Sequence, residues 1–164
     1  MARSASALVA GFLLLLTLLT LDAAQGQQPF PPTDPSDADA LHAVFRQWRL
    51  EGEAAAEDPC MKRVWSGSFE INASIDCNCP AISRCQITGL NVTGYKNITE
   101  IPLALFNLTE LVSMHFNNNN LSGSFPHESS LLRNLKSLWI FDNNVEGLIP
   151  EFIQNFTSLT DLYA

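Results

Sequence analysis

The stretch from Leu111 to Leu162 repeats itself at a fixed offset, and few architectures tolerate that. Leu111, Met114, Phe116, Asn119, Leu121, Gly123, Phe125 and Pro126 return 24 residues later as Leu135, Leu138, Ile140, Asn143, Val145, Gly147, Ile149 and Pro150. Leu159 and Leu162 then open a third copy with no insertion. A period of this size implies stacked supersecondary units that bury their apolar side against their neighbours. One long leucine-rich helix is excluded, because Gly, Pro and Asn recur in register and would break it.

Each position in the repeat has a physical task. Leu111, Met114 and Phe116 are separated by polar residues and point inward from a short strand. Asn119 and Asn143 stand where the chain leaves that strand, where a buried amide can satisfy turn groups of its own coil and the next. Leu121 and Val145 return to the core. Gly123 and Gly147 are expected at a bend that a side chain would obstruct. Pro126 and Pro150 end the second extended segment. Leu132 and Phe156 close the coil from the outer side. In that side Ser129 replaces the Leu105 and Ile153 of neighbouring coils, and Leu131 is expected to fill the gap.

The chain begins with an address. Arg3, the apolar run Leu8 to Leu21 and the small residues up to Gly26 read as a secretory signal over residues 1–26, too short for a membrane span. Cleavage after Gly26, or alternatively after Ala24, leaves about 138 residues, one domain by length. The net charge of −8 argues against nucleic acid or an anionic membrane surface as partner. Residues 27–35 read as a Pro-rich, disordered or extended lead-in. A helix should follow, capped by Asp34 or Ser36, burying Leu41, Val44, Phe45 and Trp48 and ended by Gly52.

Four cysteines in a secreted chain, Cys60, Cys77, Cys79 and Cys85, read as two disulfides. Cys77 and Cys79 are too close to bridge each other. Of the two pairings left, Cys60–Cys77 with Cys79–Cys85 is the expected one. Zinc is disfavoured, since the spacing lacks a paired C-x-x-C or histidine partners, and no cofactor is implied. From Ile87 the repeat starts weakly. Ile87, Leu90, Val92 and Ile101-Pro102 match, but Tyr95, Asn97 and Thr99 replace the Asn, Leu and Gly, as terminal repeats often do. Six Asn-x-Ser/Thr sites, at Asn72, Asn91, Asn97, Asn107, Asn120 and Asn155, predict a glycoprotein with exposure at each used site. Asn91 should project from the strand face, where a sugar would cover that end.

The period, the form L-x-x-L-x-x-L-x-L-x-x-N-x-L-x-G-x-I-P and the Asp58-Pro59-Cys60 lead-in resemble plant leucine-rich repeats with their N-terminal cap. Together with Cys77-Asn-Cys79 and Cys85-Gln-Ile-Thr, they resemble the ectodomain start of plant leucine-rich-repeat receptor-like Ser/Thr kinases that carry a malectin-like domain. The resemblance implies a leucine-rich-repeat solenoid: short parallel β-strands on the concave face, a 3₁₀ or irregular convex side, and a disulfide-bonded helical cap. The expected division is cap over 36–86 and repeats over 87–164. The chain stops at Ala164 inside a strand, so it reads as an N-terminal fragment. With fewer than three full coils it is expected to be marginal or to associate. It has no Gly-rich loop, His-Arg-Asp or Asp-Phe-Gly, so the family's kinase activity does not carry over.

Function then falls to a surface. Residues between the inward leucines should line the concave face: Ser113, His115 and Asn117, then Ser137, Trp139 and Phe141, then Asp161 and Tyr163. Exposed aromatics among polar groups are what binding hot spots are made of. The expected partners are a peptide, a cell-wall glycan or a coreceptor ectodomain, in the apoplast or on the outer face of the plasma membrane. The other reading is a free secreted binder similar to polygalacturonase inhibitors, which should carry more coils and a terminal cysteine cap. An enzyme is not supported: no nucleophile–base pair, carboxylate pair or metal cluster is legible, and His115 is a lone histidine.

Overall fold

The computed structural model describes residues 30–50, 57–66, 72–123, 125–145, 153 and 156–164. The signal segment 1–26, the start of the lead-in, Gly52, Gly147, Ile149, Pro150 and the Asn155 site lie outside them.

Short strands spaced by 24 residues pair side by side. Gln86–Thr93 (β3), Ser113–His115 (β4), Ser137–Trp139 (β6) and Asp161–Tyr163 (β8) form a parallel run. Leu90, Met114, Leu138 and Leu162 are direct neighbours in it. Beneath the strands Leu111, Met114, Phe116, Leu135 and Leu138 are fully buried. After β3, β4 and β6 the chain turns at a left-handed residue, Gly94, Asn118 and Asp142, which recur at the same period. Glycine and asparagine suit that conformation, and aspartate tolerates it.

Asn119 and Asn143 tie the coils together. The Asn119 amide donates to the Val92 and Phe116 carbonyls, both at 2.8 Å, and its oxygen accepts from the Tyr95 N–H. Asn143 repeats this one coil on, donating to Phe116 at 2.7 Å and Ile140 at 2.8 Å and accepting from Leu121. The Phe116 carbonyl thus receives both asparagines, one on each lone pair. Ser122–Gly123 (β5) and Asn144–Val145 (β7) form a second small parallel sheet. Leu103–Asn107 and His127–Leu131 are 3₁₀ turns, each preceded by an extended proline.

Four local expectations need correction. Gly123 has φ of +81°, but a side chain there would meet nothing within 4 Å, so the angle and not crowding requires glycine. Leu131 does not fill the Ser129 gap. It is 46% exposed, while Ser129 is buried with its hydroxyl unpaired. A 3₁₀ turn of the same length holds Leu131 outward whatever stands at 129. In the first coil Ile98, not Asn97, takes the core position of Leu121. Asn120 N–H bonds the Ile98 carbonyl, where Asn144 N–H bonds that of Leu121. The turn there is one residue longer.

The fourth concerns the end of the helix that follows the lead-in. The lead-in from Pro31 is extended, one of the two forms expected, and held: Thr33 bridges Cys85 in parallel and is buried, and its N–H and hydroxyl both bond the Asp58 carboxylate. The helix Pro35–Gln47 (α1) starts at Asp34, whose side chain accepts from Ser36 N–H. It stops before Gly52, because Trp48 caps it and Arg49 turns left-handed. Its apolar face is buried as expected, with Trp48 edge-on to Phe116.

Asp58 caps a single turn, Pro59–Lys62 (α2). Cys60 pairs with Cys77 and Cys79 with Cys85. The sulfurs of Cys60, Cys79 and Cys85 lie within 4.8 Å of one another, but each is consumed in a disulfide. Val64–Ser66 (β1) and Asn72–Asn78 (β2) pair antiparallel, and β2 pairs antiparallel with β3. The sheet order is therefore β1-β2-β3-β4-β6-β8.

Candidate functional site

The outer face of this sheet is built by strand alternation. With Met114 and Leu138 inward, Ser113 and His115 and then Ser137 and Trp139 must point out. Register sets them in columns. One runs Ser74, Asn91, His115, Trp139, Tyr163, and the next Asp76, Gly89, Ser113, Ser137, Asp161.

The first column is a line of contacts. The His115 and Trp139 rings stack at 4.2 Å, with planes 20° apart. Tyr163 meets Trp139 edge-on at 5.3 Å. Both geometries are favourable for aromatic pairs. Trp139, Phe141 and Tyr163 remain 36%, 37% and 55% exposed. Asp161 is exposed, and Ser113, His115, Asn117 and Ser137 are half-buried. All eight residues expected on this face lie on or directly after β4, β6 and β8.

His115 Nε2 is 3.2 Å from the Ser137 hydroxyl. Burial pushes the His115 pKa below the ordinary histidine value, while the negative charge of Asp76 opposes the shift. A neutral imidazole stacked on an indole is a contact surface. Flat apolar area with hydroxyls, amides and carboxylates at its margin suits CH–π, cation–π and hydrogen-bonded recognition.

Sequence reasoning missed β2 on this face. Ser74 and Asp76 point outward from it, while Ala73 and Ile75 are buried. The period-two alternation over Asn72–Asp76 was the available signal. Gly89 belongs here too. A β-carbon on it would come within 2.5 Å of an Asp76 carboxylate oxygen and 2.7 Å of the Ser113 hydroxyl. Of the glycosylation sites, Asn72, Asn97 and Asn107 are exposed, and Asn91 and Asn120 are half-buried. The Asn91 amide oxygen is covered and unpaired, beside His115.

This architecture is that of a leucine-rich-repeat module. The profile described as Leucine Rich Repeat matches residues 134–156. Two curated relatives come from Arabidopsis thaliana. Protein STRUBBELIG-RECEPTOR FAMILY 1 is 30% identical over 78% of this chain and 15% of its own length. An inactive leucine-rich repeat receptor-like serine/threonine-protein kinase is 32% identical over 80% of this chain and 18% of its own. The chain therefore spans less than a fifth of either relative. The ectodomain of the Arabidopsis thaliana receptor kinase SOBIR1 shares the fold, with a TM-score of 0.55 at 18% identity over 81% of this chain and 67% of that one. The chain carries a leucine-rich-repeat domain related to the ectodomains of plant leucine-rich-repeat receptor-like kinases, and the segment itself contains no kinase domain.

Proposed function

We propose that this chain is the extracellular recognition module of a plant receptor-like kinase. It binds a peptide, a glycan or a partner ectodomain on the concave side of a leucine-rich-repeat solenoid. Residues 1–26 act as the secretory signal, 36–86 as the disulfide-bonded cap that shields the first coil, and 87–164 as the repeats. The full receptor is of the malectin-containing type. Glycans fall on those Asn-x-Ser/Thr sites that the fold leaves accessible.

The observation that carries the reading is the column His115–Trp139–Tyr163. Large rings line up in contact on adjacent strands, and Trp139 and Tyr163 stay exposed to solvent. Buried aromatics are explained by the core, whereas solvent-facing ones in contact with each other make a preformed docking surface of low conformational entropy. The test is the Trp139→Ala, Tyr163→Ala double variant, screened against immobilised peptide and cell-wall oligosaccharide libraries. We expect binding to fall by tenfold or more, on the order of 1.4 kcal/mol or above. Binding equal to the parent's removes the aromatic column from recognition.

A further inference from the structure

We infer that this face selects an extended peptide carrying basic side chains at two separated positions. The inference rests on the reading that the strand face is the recognition surface, and it names what that surface prefers. Its basis is the second column, Asp76, Gly89, Ser113, Ser137 and Asp161. Asp76 leans over Gly89, with a carboxylate oxygen 2.5 Å from where a β-carbon would stand, and the small Ser113 and Ser137 leave a shallow trough from there to Asp161. The rings of His115, Trp139 and Tyr163 make one wall. A carboxylate stands at each end, and both Asp76 and Asp161 are exposed.

The trough has a length. It runs from the Asp76 carboxylate over Gly89 on β3 to Asp161 on β8, three strand spacings of about 4.8 Å, so the carboxylates are separated by about 14 Å. An extended peptide rises about 3.3 Å per residue, so about four residues span that distance. Basic side chains at both ends of such a segment meet Asp76 and Asp161. The Asp161 end also offers Trp139 and Tyr163 for cation–π contact, which favours arginine over lysine. A neutral or aromatic centre that lies on the wall of rings is preferred. The chain's net charge of −8 supports attraction of such a partner from a distance.

The experiment uses the purified protein and a library of acetylated, amidated octapeptides that carry two arginines at every spacing. A matching library has citrulline in place of arginine. We expect capture of peptides whose arginines are about four residues apart, retained at least threefold better than their citrulline counterparts and weakened by added salt. Asp161→Asn should abolish the preference for one arginine and Asp76→Asn for the other. Equal retention of citrulline peptides, no captured peptide, or indifference to both substitutions overturns the inference. A neutral β-glucan hexasaccharide separates this failure from failure of the underlying reading. If that sugar binds and Trp139→Ala abolishes its binding, the face is a recognition surface for glycans and the basic-peptide inference falls. If Trp139→Ala leaves all binding intact, the face itself is wrongly assigned.

Discussion

Asn119 holds three main-chain groups: the buried carbonyls of Val92 and Phe116 and the part-buried N–H of Tyr95. Removing its amide strands the Val92 carbonyl and the Tyr95 N–H, while the Phe116 carbonyl keeps its bond from Asn143, and each unpaired buried group costs about 1–3 kcal/mol. Asn119→Ala should therefore lower unfolding stability by about 3 kcal/mol in urea titration. Asn143→Ala should cost only about 1 kcal/mol, because Asn143 is half-buried and water can replace part of its bonding. Equal effects would contradict this account of the ladder. The opposite case is Ser129, fully buried with an unpaired hydroxyl. Ser129→Ala removes an unsatisfied group and should stabilise by about 1 kcal/mol, and a loss of stability would show that the hydroxyl has a partner. These two residues also mark where sequence reasoning reached and where it stopped. The asparagines were legible because a polar residue recurring in register with leucines has only one economical use. The exposure of Leu131 was not legible, because it follows from the handedness of a 3₁₀ turn and not from the gap it was expected to fill.

At the scale of the strand, the sheet face behaves as one unit through ring contact. His115 sits between Asn91 on β3 and Trp139 on β6 and is held below the ordinary histidine pKa, chiefly by burial. The folded protein therefore takes up that proton less readily than the unfolded chain. The stabilising contribution is complete above the unfolded value of about 6.5 and drains away as pH falls through it towards the folded value. Urea titrations at falling pH should show stability declining in this window, with the decline reduced in His115→Gln. An unchanged slope in the variant would assign the effect elsewhere. The positions of β4, β6 and β8 were readable because a strict period fixes register, and Met114, Leu138 and Leu162 are neighbours as the repeat requires. β2 was hidden. It lies among cysteines, where spacing drew the inference towards disulfides, and it pairs antiparallel, which a search for 24-residue copies does not detect.

Across the whole molecule, the N-terminal segment is fastened to the first coil at several points. Asp34 N–H bonds the Cys85 carbonyl, buried Asp37 accepts from Ile87 N–H, and the Trp48 indole donates to Glu100. Asp37 carries a raised pKa, with burial as the main cause and the Ile87 bond acting against it. The sequence indicated a helix here and its apolar face. It did not indicate these anchors, which join residues 50 or more positions apart through main-chain groups. The result is a sheet whose inner side is leucine and whose outer side is free to recognise. Hydrogen–deuterium exchange tests that division most directly, with the protein free and bound to the tightest binder from the peptide and oligosaccharide libraries. The account predicts slowed exchange over residues 113–118 and 137–142 and in β8, with the 3₁₀ turns at 103–107 and 127–131 unchanged. Protection confined to those turns, with the strand face unaffected, would contradict it.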